Sequence, residues 1–401
     1  MRVVLKRLCV FVLAGVVFFD ALFGGNSLSG LDNNIRADIS FCIVDLKFDG
    51  QPGSMFKVCE FGESRISAFK GLDEFYWGKF WRYLKRKFNL PIWYVGRYYM
   101  PEKFKEMRAY NALIKNGGQV LTFLNQLERN PKFKSLVGDR KIGDHSKISQ
   151  YKAIICTASM DKQVKDFQKK YPNVLVLDLA TADFVNSKIK TVKLLDDDEF
   201  RNYCPKFKVL KRIKQVDPLA YAGYVHKTAQ EILKEFNCDC YVIKPIADTM
   251  GRGVSIIPKD ELGDALYSVL SLTAGKQGKI AGKKIDRFAK YWQKNRNNTC
   301  LIEEFAHSKI ISVEDKLYDP TMRLIFILCY DNHVPKIEIL GGYWKIPNVA
   351  LNDVLGDFTV KHKSGTSHET KANIDPKDYR IVTSQFKDFM LHVYLKMLGK
   401  Y

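Results

Sequence analysis

The feature that most constrains this chain is residues 240–262, CYVIKPIADTMGRGVSIIPKDEL. An apolar, β-branched run ends in Lys244-Pro245, a short loop carries Gly251 and Gly253, and a second apolar run leads into a helix-forming segment. Apolar runs bounded by Gly and Pro read as paired strands. A lysine at the end of a buried strand is a fixed point charge. Glycines, lacking a Cβ, let a loop close with its backbone N–H groups pointing at an anion. The pattern suits a polyphosphate, with Lys244 on one phosphate, the backbone of Gly251 and Gly253 over the others, and Thr249 and Arg252 as further donors.

Other nucleotide signatures are absent. No glycine-rich loop closing in Gly-Lys-Ser or Gly-Lys-Thr occurs, and the third glycine of a dinucleotide fingerprint is replaced by Ile256. The Gly356-Asp357-Phe358 order is not the kinase Asp-Phe-Gly order.

Downstream, LIEEFA at 301–306 places Glu303, Glu304 and Phe305 at the end of another apolar strand, and YDPTMR then places Arg323 at the start of a third. Together with the Lys-Pro strand and glycine loop, in this order, these segments resemble the ATP-grasp family across roughly residues 196–398. The resemblance implies Mg-ATP held between two lobes. Lys244 would sit on the α- or β-phosphate, the 303–305 strand would act as a hinge reading adenine and ribose, and Arg323 would reach the γ-phosphate or an acyl-phosphate. Another cation precedes the central lobe in that family, and here Arg201, Lys206 and Lys208 compete for the place. Asn373 resembles a loop asparagine near the ligand, with a solvated turn residue the competing reading. His307, just past the hinge, reads as a hydrogen-bonded edge histidine.

The family's magnesium ligands stand on a hairpin that would follow the last helix, and this sequence stops before one. A hairpin of that kind stands instead at the other end: IVDLKFDG then FKVCEFGE, joined by a Gly/Pro turn at 50–53. A circular permutation is therefore expected, with Asp45 and Glu60 as the magnesium ligands, since hard oxygen donors suit that ion. Gly62 stands where the family has Asn, so Glu63 or Asp49 would have to fill in. The competing reading is a surface hairpin whose carboxylates are solvated.

Between hairpin and Lys-Pro strand, strands near 92, 153 and 174 alternate with helices at 101–115 and 161–171, the pattern of a parallel sheet. At 401 residues several units are expected. The expected fold class is α/β and α+β: an ATP-grasp fold of two α+β lobes with an additional Rossmann-like α/β domain. The boundaries fall at a signal-like or anchor segment 1–25, the hairpin 36–66, a pre-ATP-grasp-like domain 67–195, a central lobe 196–299 and a C-terminal lobe 300–401.

Net charge is +20, so the surface field attracts phosphates, anionic membrane or nucleic acid without naming one. The basic stretch 279–296 carries Ile285, Phe288 and Trp292 at helical spacing and reads as an amphipathic surface helix. At the N-terminus, Arg2, Lys6 and Arg7 precede an apolar run from Leu8 to Phe19, which suggests a signal peptide or short anchor and hence export or membrane association. Nine cysteines, mostly within apolar runs, instead suggest free thiols in a reducing, ATP-containing compartment.

What the resemblance implies for function is an ATP-dependent ligase that activates a carboxylate as an acyl-phosphate for capture by an amine or thiol. ATP and Mg2+ would be its cofactors and an acidic small molecule or peptide its acceptor. Two rivals stay open: an ATP-grasp kinase acting on a polyanionic small molecule, and a degenerate, non-catalytic binding protein on the same scaffold.

Overall fold

The computed structural model describes residues 35–62, 74–96, 108–121, 123–157, 162–185, 187–211, 218–246, 253–271, 299–354, 358–363 and 370–399. The leader, the loop bearing Thr249, Gly251 and Arg252, residue Glu63 and the basic stretch 279–296 lie outside them. Among the described residues no helix is long and apolar enough to cross a membrane, and no disulfide joins the cysteines.

Strands β1 (Asp38–Lys47) and β2 (Lys57–Gly62) form the N-terminal hairpin. A parallel sheet follows, built from β3 (Ile92–Val95), β4 (Gln119–Leu121), β5 (Ala153–Thr157) and β6 (Val174–Val176) in the order β4-β3-β5-β6. Next come β7 (Phe207–Lys211), β8 (Cys240–Pro245), β9 (Ser255–Pro258) and β10 (Thr299–Glu304), an antiparallel sheet ordered β7-β10-β8-β9. A small ribbon, β11 (Ile311–Val313) with β12 (Lys316–Tyr318), precedes β13 (Thr321–Asp331), β14 (Val334–Ile346) and β15 (Thr370–Ala372).

The N-terminal hairpin does not stand alone. It adds to the C-terminal strands in one five-stranded antiparallel sheet, β15-β14-β13-β1-β2, with β1 paired to β13 along nearly its whole length. Strand alternation explains why. On β1, Cys42, Val44 and Leu46 point to one face, where they meet Met322, Leu324, Phe326 and Leu328 of β13 and Phe386, Phe389 and Val393 of the C-terminal helix. Ile39, Phe41 and Ile43 point to the other, joining Ile325, Ile327 and Cys329 with Trp77, Phe80 and Trp81. A strand apolar on both faces must be sandwiched, and only the middle of a covered sheet offers that.

The cover on the first face is helix Pro376–Leu398. Asp375 caps it by accepting from the N–H groups of Lys377 and Asp378, with Pro376 in the first turn, and its buried residues recur at three- and four-residue spacing. Helix Glu74–Phe88 covers the other face. It approaches β14 closely at Gly341, whose φ is +151° and where a Cβ would lie 2.7 Å from the Tyr76 ring.

In the central sheet, Tyr241, Ile243, Cys300 and Ile302 face helices Pro218–Glu235 and Leu262–Ser271 through Tyr221, Ile232, Leu262 and Leu266. The alternate residues Val242, Lys244, Leu301 and Glu303 therefore point away from those helices. The strand expected to open the C-terminal unit, Thr299–Glu304, lies inside this central sheet between β7 and β8. The chain passes to the five-stranded sheet only after it.

Candidate active site

The face of the five-stranded sheet that carries Ile39, Phe41 and Ile43 turns charged at one end. Two residues after Ile43 comes Asp45, two more bring Lys47, and the matching end of β13 carries Arg323 where Ile325 and Ile327 stood further along. Asp45 is directly opposite Arg323 on one side and Glu60 on the other, and Arg323 is opposite Tyr343. One row across four strands thus reads Tyr343, Arg323, Asp45, Glu60.

Both Asp45 oxygens are engaged. Arg323 donates to it through Nε at 2.7 Å and Nη2 at 2.9 Å, and Lys345 Nζ adds a third contact at 2.9 Å. Burial alone would raise the Asp45 carboxyl, but the charges and hydrogen bonds of Arg323 and Lys345 outweigh it and hold the group below the usual carboxylate range. Half-buried Glu60 enters none of these pairs.

Lys244 comes from the other sheet to the same hairpin. Its Nζ donates to the backbone carbonyl of Cys59, the residue before Glu60, at 3.0 Å, and forms a buried ion pair with Glu303 on the neighbouring strand. Burial works against that ammonium, and the Glu303 carboxylate more than offsets it, so the group stays charged with its pKa raised. The Cys59 thiol is pushed up to about 12 by burial, against the pull of the nearby Lys244 and Lys47 ammoniums. It therefore remains a thiol at neutral pH.

Of the remaining expected residues, Gly253 has φ +71°, a left-handed conformation natural to glycine, just before β9. Phe305 packs with Val242 and Ile256, and the Glu304 N–H donates to the Lys206 carbonyl at 2.9 Å. The Arg201 side chain is 73% exposed and pairs with Asp198 at 2.8 Å. Lys208 is held by Glu231 and Glu235, and Lys206 is exposed beside Glu304. Asn373 is exposed and follows the edge strand β15, at the far edge of the sheet from Glu60. Asp49 accepts from the Gln51 N–H within the hairpin turn. At Gly62 a Cβ would lie 2.2 Å from the Ile43 side chain, so any larger residue there would require Ile43 to shift.

Two residues escaped the sequence reading. Lys345 is buried and completes the cation pair on Asp45. Lys47 is buried against Asp319, with Nζ 2.7 Å from Oδ1. The available signal is their spacing: each is a charge two residues along from a residue buried on the same strand face, Tyr343 for Lys345 and Asp45 for Lys47.

No protein-family model matches the chain, and no curated protein does. Among solved structures, the chain is similar to a gamma-glutamylcysteine synthetase-like protein of Methylobacillus flagellatus KT, at 8% identity and a TM-score of 0.48, over 91% of this chain and 89% of that one. It is also similar to D-alanyl-alanine synthetase A of Vibrio cholerae, at 13% identity and a TM-score of 0.38, over 76% and 81%. A third is the D-cycloserine synthetase DcsG, at 10% identity and a TM-score of 0.34, over 77% and 82%.

Proposed function

We propose that this chain is an ATP-dependent enzyme of the ATP-grasp type, a ligase that activates a carboxylate as an acyl-phosphate for capture by an amine or thiol. The observation that carries the reading is the meeting of Lys244 with the N-terminal hairpin. A cation from the central sheet touches the backbone beside Glu60, and Glu60 sits opposite Asp45, which in turn faces Arg323 on its other side in the five-stranded sheet. Lys244 from the central sheet, with Arg323, Asp45 and Glu60 from the five-stranded sheet, would then border the proposed cleft with the charge pattern a metal-bound triphosphate requires.

Within that cleft Lys244 neutralises a phosphate as a point charge, and Arg323 offers a planar fork to the oxygens on which charge builds during transfer. Lys345 adds a third cation on the same side. Asp45 and Glu60 fit magnesium in kind, both being oxygen donors on adjacent strands. Glu60 is the more open of the two, and Asp45 would share its oxygens with Arg323 and Lys345. Magnesium, when bound, would screen the phosphate charge that otherwise repels an incoming carboxylate. The hinge residues Glu303, Glu304 and Phe305 would hold the nucleoside. Glu303 would act as the counter-charge that keeps Lys244 aligned.

The test is a screen of acidic metabolites and peptides for Mg-ATP-dependent ADP release. Release of ADP and inorganic phosphate with a new amide or thioester supports a ligase. Phosphate retained on the acceptor makes the chain a kinase. Absence of any Mg-ATP binding removes the enzyme reading.

A further inference from the structure

Away from the Asp45 row, three segments distant in sequence converge on a single carboxylate. Asp319, just before β13, is fully buried, and its two oxygens have different partners. Oδ1 accepts from Lys47 Nζ at 2.7 Å and from the Ser308 N–H at 3.0 Å. Oδ2 faces two imidazoles, with His362 Nδ1 at 2.9 Å and His307 Nδ1 at 3.2 Å. One ligand atom from each of the three side chains lies within 4.8 Å of the other two.

We propose that His307, Asp319 and His362 form a binding site for a zinc-class divalent ion, with a fourth, water-bearing position on the side where His307 is exposed. Imidazole nitrogen and carboxylate oxygen bind zinc at about 2.0–2.2 Å, so two ligands of a tetrahedral ion lie roughly 3.3 Å apart. The gaps from Oδ2 to the two ring nitrogens are close to that edge length. Two nitrogens in a set of three favour zinc over magnesium or calcium, which prefer all-oxygen shells.

The surroundings support the ligands. Hydrogen bonds to Oδ1 fix a carboxylate that offers only its other oxygen, the support commonly found behind a ligating carboxylate. Phe305 lies edge-on to both imidazoles, with ring centroids 4.7 Å from His307 and 5.2 Å from His362. Phe358 packs 4.4 Å from the His362 ring. The short helix Phe358–His362 is in turn pinned to β9, because Thr359 Oγ1 accepts from the Ile256 N–H at 3.1 Å and donates to its carbonyl at 3.0 Å. His307 is 57% exposed, which gives an ion a route in. Without an ion each ring shares an Nδ1 proton with Oδ2, and ligation at Nδ1 requires the other tautomer of each neutral ring, with its proton moved to Nε2. The Lys47 ammonium lowers the affinity and keeps the ion exchangeable. An ion here would tie the segment after the hinge strand to the start of β13 and to the helix beside β9. This site is independent of the nucleotide reading.

The experiment uses the full chain, stripped with EDTA and titrated with zinc by calorimetry and with cobalt(II) by visible absorption. The expected result is one equivalent bound, a raised melting temperature with zinc, and a four-coordinate cobalt spectrum without thiolate charge-transfer bands. His307→Ala, at an exposed position, and His362→Gln each weaken binding at least tenfold. No binding by the folded wild type, unchanged affinity in His307→Ala, or a thiolate-dominated cobalt spectrum would each overturn the site.

Discussion

Asp45 and Arg323 stand directly opposite each other on neighbouring strands, joined by two hydrogen bonds of 2.7 and 2.9 Å, although 278 positions separate them in the chain. That pairing makes the N-terminal hairpin part of the C-terminal sheet and puts the hairpin's carboxylates beside the arginine of the proposed site.

Asp45→Asn removes the carboxylate shared by Arg323 and Lys345 and is expected to lower stability by about 3–5 kcal/mol at neutral pH. The folded pKa of Asp45 is depressed, so its contribution is complete above the unfolded value of about 3.9 and is lost as pH falls through the lower folded value. Urea unfolding at a series of pH values should show the gap between wild type and variant narrowing below about pH 4. A gap that is constant with pH would contradict the pairing.

Lys244→Met leaves Glu303 charged and buried, and should cost about 3–5 kcal/mol. The double variant Lys244→Met, Glu303→Gln removes both charges and should recover most of that loss. Chemical denaturation of the two variants checks it, and equal midpoints would mean the two residues do not stabilise each other.

Glu60→Gln keeps the shape of a half-buried side chain that enters none of the ion pairs on Asp45. Its effect on stability should stay within about 0.5 kcal/mol. The magnesium concentration for half-maximal turnover should rise at least about tenfold, equivalent to roughly 1.4 kcal/mol of lost binding. Unchanged magnesium dependence would remove Glu60 from the metal site.

Phe386 is fully buried on the C-terminal helix, 4.9 Å from the Phe326 ring and 5.9 Å from that of Phe56. Phe386→Ala should cost about 3–5 kcal/mol by opening a cavity in the sandwich. A denaturation midpoint within error of wild type would show that the helix is not a structural cover of the sheet.

Much of this was legible in the sequence where the signal is local. The apolar strand ending in Lys244-Pro245, the paired strands of the hairpin and the acidic end of β10 follow from alternation and turn residues over short windows. Residues that depend on register were harder to read. Lys345 meets Asp45 across 300 positions and Lys47 meets Asp319 across 272, and no short-range pattern encodes which charge will face which. The partner of His307 was hidden for the same reason, because Asp319 and His362 reach it from different segments. Arg201 is paired locally with Asp198, three residues earlier, a contact that its basic, strand-flanking context does not by itself announce. The place of β10 was misjudged because an apolar strand does not announce which neighbour it pairs with.

The most direct test of the central claim is calorimetric titration of Mg-ATP into the wild-type chain and into the Lys244→Met, Glu303→Gln variant, with circular dichroism to establish that both are folded. One Mg-ATP bound per wild-type chain, with affinity at least about tenfold weaker in the variant, is the predicted result. Equal affinity in the two proteins, or no binding to the wild type, would contradict the account.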